Sequence, residues 1–265
     1  MRFQLIDRIA VEEDGEGPAI VCVHGLGGSS NTFTPLMPAM ARHRVIRLDL
    51  PGSGRSQRAE GGLTIERYVA TTLDICDRLN VQRAHWVGHS MGNIVLQHIA
   101  AAHPKRVASL SMFGPLITPP DAARAAIQTR AAKAREGASG MQDIAQALLQ
   151  ASISADTRER LPIAVAYVRE SLMRQEGENY ARSCEALAGA QPAAVENIEA
   201  PVLLVTGDED GVAPPQAVRA MADRLHRAAS KRVVVLPRCG HWTPIERPEE
   251  CARELRDFLA SNARS

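Results

Sequence analysis

The stretch Val87–Asn93, VGHSMGN, sets Ser90 between two glycines, with a histidine before it and a methionine after it. RAHWV runs up to Gly88 and MGNIVLQHIAAAH runs away from Ser90, with Met91, Val95, His98 and Ala102 at helical spacing. The serine therefore stands where a strand hands over to a helix. Two readings fit that junction. Serine is a preferred N-cap, and a cap asks nothing more of the sequence. A sharp turn that lifts a nucleophile clear of a sheet asks for more, because backbone crowds the positions two before and two after the serine and leaves little room for a Cβ. Gly88 and Gly92 occupy those positions. A G-x-S-x-G match also arises by chance, so the rest of the chain must decide.

Working outward, AIVCVHG ends at Gly25, HRVIRLDLPG at Gly52, AHWVGHS at Ser90 and RVASLSMFG at Gly114. Each is an apolar, strand-like run. Between them lie helical stretches such as LTIERYVATTLDICDRL, with Ile65, Val69, Thr72 and Cys76 along one side. Runs of Val, Ile and Leu alternating with amphipathic helices predict a mostly parallel sheet covered on both faces. Ligands of such sheets bind beyond the carboxyl ends of the strands, where His24, Asp49, Ser90 and Phe113 fall. From Pro115 to about Asn197 strand character vanishes and helical spacing dominates, as in Leu161, Val165, Val168 and Leu172. Strands return at APVLLVTGDEDGVAPP and RVVVLP, and a helix through Phe258 closes the chain. The expected organisation is an α/β core of residues 1–114 and 198–265 interrupted by a helical insertion, 115–197, whose edges are marked by LITPP and AGAQP.

Composition narrows the function. The 265 residues are 45% hydrophobic with a net charge of +1, enough for a sizeable core and without the basic footprint of a nucleic-acid or anionic-membrane binder. Charges interrupt every apolar run of MRFQLIDRIAVEEDGEG, so neither a secretory signal nor a membrane span is expected there, and a cytoplasmic protein is. Five cysteines, Cys22, Cys76, Cys184, Cys239 and Cys251, are odd in number and lack C-x-x-C spacing, which argues against a disulfide framework or a zinc site, and most of them read as reduced core residues.

A serine hydroxyl is a poor nucleophile until a base takes its proton, and the base needs a carboxylate to fix its tautomer. Loops after later strands offer both. PRCGHWTPIERP presents His241 beside Gly240 and between two prolines, and TGDEDGVAPP presents Asp208 and Asp210. Spacing alone does not choose between the two aspartates. Among the other histidines, His24 and His89 sit in glycine turns and read as loop supports, His98 reads as a hydrogen-bonded core residue, and His43, His85, His103 and His226 have no motif around them. Asp49, in RLDLPGSGRS, reads as an aspartate that ties down backbone N–H groups. An acyl transfer also needs donors for the developing oxyanion. The Met91 N–H follows the nucleophile, and HGLGGSS offers the Leu26 N–H, although HGLGG taken alone reads more readily as a flexible turn before a helix.

Taken together and in order, HGLGG, DLPGSGRS, GHSMG, GDEDGVAPP and GHWTPIERPE resemble the α/β-hydrolase family. The likeness spans essentially the whole core. It implies the α/β-hydrolase fold, with the inserted helices as a cap over the site and Ser-Asp-His in that chain order. The family's G-x-x-D-x-x-x-P pattern falls on Gly207, Asp210 and Pro214, which implies Asp210 as the acid with Asp208 in reserve. ENYARSCEALAGA and GHWTPIERPE resemble most the branch containing 3-oxoadipate enol-lactonases. The aromatic pair, Trp then Phe, usual in the middle of that cap is missing from QALLQASISADT. The expected function is a cofactor-independent, metal-free hydrolysis of a small-molecule ester or lactone: Ser90 attacks, His241 relays the proton, Asp210 orients it, and Leu26 and Met91 hold the oxyanion. Phe113, Leu116 and Trp242 are expected as apolar walls. Carbon–carbon hydrolysis of ring-cleavage diketones and haloperoxidase-type perhydrolysis would use the same residues, and a ligand receptor of the same fold is the non-enzymatic alternative. A serine at position 90 speaks against the family's haloalkane dehalogenases and epoxide hydrolases, which use aspartate there. A base must be neutral, so kcat/KM is expected to rise across roughly pH 6 to 7. The cap arginines Arg124, Arg130, Arg135 and Arg169 are candidates to meet a substrate carboxylate or simply solvated charges on helix faces.

Overall fold

In a computed structural model that describes residues 2–56 and 60–262, the apolar runs assemble into one eight-stranded sheet. Its strands are β1 (Arg2–Ile6), β2 (Ile9–Asp14), β3 (Ala19–Val23), β4 (Arg44–Leu48), β5 (Ala84–His89), β6 (Val107–Phe113), β7 (Val202–Gly207) and β8 (Lys231–Leu236). They lie in the order β1-β2-β4-β3-β5-β6-β7-β8, parallel from β4 to β8, with β1 and β2 antiparallel at one edge. The apolar patterning of the sequence does not signal that edge hairpin. Its turn is Asp7–Arg8, both at positive φ (45° and 72°), a conformation usually signalled by Asn-Gly or Asp-Gly and here carried by neither.

The helices of the described residues are α1 (Ile65–Arg78), α2 (Met91–Ala102), α3 (Asp121–Ala134), α4 (Ala138–Ala151), α5 (Ala155–Arg160), α6 (Pro162–Met173), α7 (Gly177–Ala188), α8 (Pro215–Arg224), α9 (Thr243–Glu246) and α10 (Pro248–Ser261). A run of 3-10 turns, Ser30–Met40, contains Pro35 and Pro38. Strand alternation sorts the core into two layers. Val21, Val23, Leu110, Met112, Val202 and Leu204 face α1, α2 and α8, whereas Ile20, Cys22, Val87, Phe113, Leu203 and Val205 face the 3-10 run and α10. Each such side chain, buried from water, stabilises the fold by about 1.5–3 kcal/mol before the entropy of ordering it is subtracted.

Two helical stripes differ in detail from their expected pattern. In α1, capped by Thr64 accepting from the Arg67 N–H at 3.1 Å, Tyr68 and Ile75 join Ile65, Thr72 and Cys76 in the core, and Val69 lies at the margin. α2 is buried all round from Met91 to Gln97, being packed between the sheet and α1, while His98 is half-buried and Ala102 exposed. Between β6 and β7 lie α3 to α7 and one 3-10 turn, Val195–Asn197, with no strand among them. Among the described residues, no helix is long and apolar enough to cross a membrane.

Candidate active site

Because β3, β5, β6, β7 and β8 run parallel and nearly in register, the loops after them gather at one end of the sheet. Ser90 is the hinge between β5 and α2. Its φ of +52° and ψ of −122° lie where an L-residue is strained by about 1–3 kcal/mol, and its neighbours hold it there. The Ser90 N–H donates to the Phe113 carbonyl at 3.0 Å, and the Asn93 N–H donates to the Ser90 carbonyl at 2.8 Å. The two glycines are where crowding requires them. A Cβ on Gly92 would lie 2.0 Å from the Val23 carbonyl oxygen and 2.7 Å from that of His24; on Gly88 it would meet Asn93 Oδ1 at 2.3 Å. Gly92→Ala is therefore expected to push α2 off β3 and cost about 1–3 kcal/mol, read as a lower urea midpoint. An unchanged midpoint would show that the turn has slack.

The Ser90 side chain makes no cap hydrogen bond to α2. Its Oγ lies 2.8 Å from His241 Nε2 instead. On the other side of the ring, His241 Nδ1 lies 2.9 Å from Asp210 Oδ2 and 3.1 Å from Oδ1. Asp210 is held by the N–H groups of Val212 (2.8 Å) and Ala213 (2.7 Å), while the Thr206 hydroxyl donates to the Ala213 carbonyl at 2.6 Å and so steadies the same turn. Burial pushes its carboxyl pKa up, but the nearby His241 and these hydrogen bonds outweigh burial and leave it below the usual carboxylate range. An ionised carboxylate only accepts, so Nδ1 carries the proton and Nε2 is left free to accept from the Ser90 hydroxyl. Asp208 is exposed and is turned away, accepting from the Cys239 N–H at 3.0 Å.

The supporting residues fall into place around this line. His24 Nε2 accepts from the Leu50 N–H at 2.9 Å, so its Nδ1 donates to the Gly25 carbonyl at 2.8 Å. His89 Nε2 donates to the His241 carbonyl at 3.0 Å, and burial with the neighbouring His241 brings its pKa down to about 3, keeping it neutral. Asp49 accepts from the N–H groups of Ser30 (2.7 Å) and Arg55 (2.8 Å), as a loop-tying aspartate should. His98 is hydrogen-bonded, to the Gln191 carbonyl at 3.0 Å, but at a half-exposed position rather than in the core.

A cavity of about 220 Å³ opens over Ser90 and His241, lined by Leu26, Leu116 and Trp242 and by residues of α3, α4 and α7. Gly25 abuts Ser90 so closely that a Cβ there would lie 2.6 Å from the serine Cβ, and Leu26, the next residue, lines the cavity with Ser90. Met91 is the first residue of α2, so its N–H has no carbonyl four residues back in the helix. Phe113 is a correction: it does not line the cavity. Alternation along β6 turns its fully buried side chain to the α10 face among Cys22, Leu203 and Val205, and only its carbonyl serves the site.

A residue that no motif singles out, Glu246, organises the His241 loop. The carboxyl of Glu246, 1% exposed, accepts from Gly240 N–H (3.0 Å) and Trp242 N–H (3.0 Å), which flank His241, and from Ser154 N–H (2.9 Å) and the Thr157 hydroxyl (2.9 Å) in the inserted helices. No periodicity marks it; a glutamate in a proline-bounded segment reads as solvated. Glu246→Ala would leave four buried donors unsatisfied and is expected to cost about 3–5 kcal/mol, seen as a lowered melting temperature. A melting temperature within a degree of wild type would show that water replaces the carboxyl.

Comparisons with known proteins agree with this architecture. The family model described as "Alpha/beta hydrolase family" matches residues 20–254. The chain is 29% identical to the enol-lactonase from Burkholderia xenovorans LB400, superposing with a TM-score of 0.87 over 98% of this chain and 100% of that one. It is 27% identical to the 2-hydroxymuconate semialdehyde hydrolase of Pseudomonas sp. (strain CF600), over 96% of this chain and 90% of the relative. It is also 30% identical to the dihydrolipoyllysine-residue acetyltransferase component of the acetoin cleaving system of Pseudomonas putida, where it matches 94% of this chain but spans only 65% of that longer protein.

Proposed function

The chain belongs to the alpha/beta hydrolase family, and from that premise we propose a cofactor-independent serine hydrolase of small carboxylic esters or lactones. Residues 115–197 act as its cap over a core of 1–114 and 198–265. The observation that carries this reading is the unbroken line Asp210–His241–Ser90, with contacts of 2.9 and 2.8 Å, ending at a cavity wide enough for a small substrate.

In this mechanism the Ser90 hydroxyl gives its proton to His241 Nε2 as Oγ attacks the carbonyl carbon. The ionised Asp210 stabilises the imidazolium that forms and keeps Nδ1–H pointed at itself. The N–H groups of Leu26 and Met91 receive the oxyanion. Collapse of the tetrahedral species breaks the acyl–oxygen bond, and Nε2–H returns its proton to the leaving alkoxide. For a lactone that alkoxide stays tethered to the acyl group. Water, deprotonated by the same nitrogen, then frees the carboxylate product and restores the serine hydroxyl.

Steady-state turnover of a panel of p-nitrophenyl esters, lactones and ring-cleavage diketones tests the reading. Esters or lactones are expected to give the highest kcat/KM. Diketones in first place would move the reaction to carbon–carbon hydrolysis. Saturable binding with negligible turnover of every class would make the protein a receptor.

A further inference from the structure

The cavity over Ser90 is apolar on most of its surface, and among the described residues no aspartate or glutamate lines it. One guanidinium does. Of the four arginines that the sequence raises as candidates, three are accounted for elsewhere. Arg124 donates to the carbonyls of Ala188 and Ala190, Arg135 pairs with Glu178 and Glu185 at 2.9 and 2.8 Å, and Arg169 is exposed and outside the cavity lining. Arg130, half-buried in the last turns of α3, lines the cavity, and among the described residues it has no carboxylate partner.

A second residue points the same way. Tyr180, from α7, lines the same cavity at 2% exposure; its hydroxyl lies beside the Arg130 guanidinium and the Cys184 thiol, and among the described residues no oxygen accepts a hydrogen bond from it. Burial raises the phenol pKa, so the group stays a donor. A buried hydroxyl with no acceptor better than a thiol and a guanidinium without a counter-charge are both unfavourable in an apolar wall, and both are satisfied by one anion. The planar fork of arginine matches a carboxylate in particular.

We propose that Arg130 and the Tyr180 hydroxyl bind a carboxylate carried by the substrate, so that the site takes acidic esters or lactones in preference to neutral ones of the same length. The reaction class rests on the hydrolase reading above; the anion site does not.

Two measurements separate them. The first is the ratio of kcat/KM for p-nitrophenyl hydrogen glutarate to that for p-nitrophenyl hexanoate. It is expected to be about 10 or more in the wild type, to fall at least about tenfold in Arg130→Met, chiefly through KM, to be partly kept in Arg130→Lys, and to fall about threefold in Tyr180→Phe. A wild-type ratio near one, or a ratio that Arg130→Met leaves unchanged, overturns the proposal. The second is calorimetric titration of glutarate into wild type and Arg130→Met, which requires no turnover. Binding that disappears in the variant supports the anion site even if neither ester is hydrolysed, an outcome that would sink the reaction class alone. Ester turnover without the ratio and without glutarate binding would sink the anion site alone.

Discussion

Replacing Ser90 with alanine is expected to lower kcat by roughly 10⁴-fold or more while leaving the melting transition near wild type. The two effects separate because of where the oxygen points. Ser90 Oγ bonds His241 and makes no cap to α2, so removing it frees no helix N–H from a partner. Alanine carries the same Cβ and meets the same strain at φ +52°, so the turn itself gains no new clash. His241→Ala is expected to cost a similar factor, and the double variant little more than either alone, because the two groups act as one unit. The check is ester hydrolysis beside a circular-dichroism melt for all three proteins. A Ser90→Ala protein with activity close to wild type would refute the role given to this serine.

The next largest effect separates two neighbouring carboxylates. Asp210→Asn is expected to cost about 10⁴-fold in kcat, since an amide no longer stabilises the imidazolium and can offer N–H to the ring nitrogen that should donate, which favours the wrong tautomer. Asp208→Asn is expected to stay within a few-fold of wild type, because asparagine Oδ1 can still accept the Cys239 N–H. The reverse ranking would move the acid to position 208. Stability gives an independent handle on Asp210. Folding lowers its pKa, so the ionised carboxylate stabilises the native state fully above the unfolded value of about 3.9, and that contribution is lost as pH falls through the lower folded value. The difference in melting temperature between wild type and Asp210→Asn is therefore expected to shrink below about pH 4. A difference that is constant from pH 7 to pH 3 would mean the carboxylate is not stabilised by its surroundings.

Much of this was legible in the chain because the signals were local. Apolar runs of five to seven residues set β3 to β7, and the parallel order that follows from alternating helices brings Ser90, Asp210 and His241 to one end of the sheet. The glycines of GHSMG signal crowding in the sequence itself, and Gly92 against the Val23 carbonyl shows the physical reason. What stayed hidden depends on direction or on distant partners. Phe113 sits at a strand end as expected, yet period-two alternation turns its ring to the far face, and a strand that is buried on both faces need not announce which way each residue looks. The β1–β2 hairpin turns on Asp7–Arg8, which carries no glycine signal. Glu246 matters through Ser154 and Thr157, 92 and 89 positions away, and Tyr180 through the cavity it lines, neither of which periodicity records. Arg130 could be named but not told apart from Arg124 and Arg135 until their carbonyl and carboxylate partners were in view.

The central claim is that the hydroxyl at position 90 is the nucleophile. Treating the protein with a p-nitrophenyl alkylphosphonate, and following released p-nitrophenolate, residual esterase activity and the modified peptide by mass spectrometry, tests it most directly. One equivalent of adduct is expected on Ser90, with activity lost in proportion, and no adduct in His241→Ala on the same timescale. Stoichiometric labelling of Ser90 in a protein that still turns over esters, or full inactivation with the adduct on another residue, would contradict it.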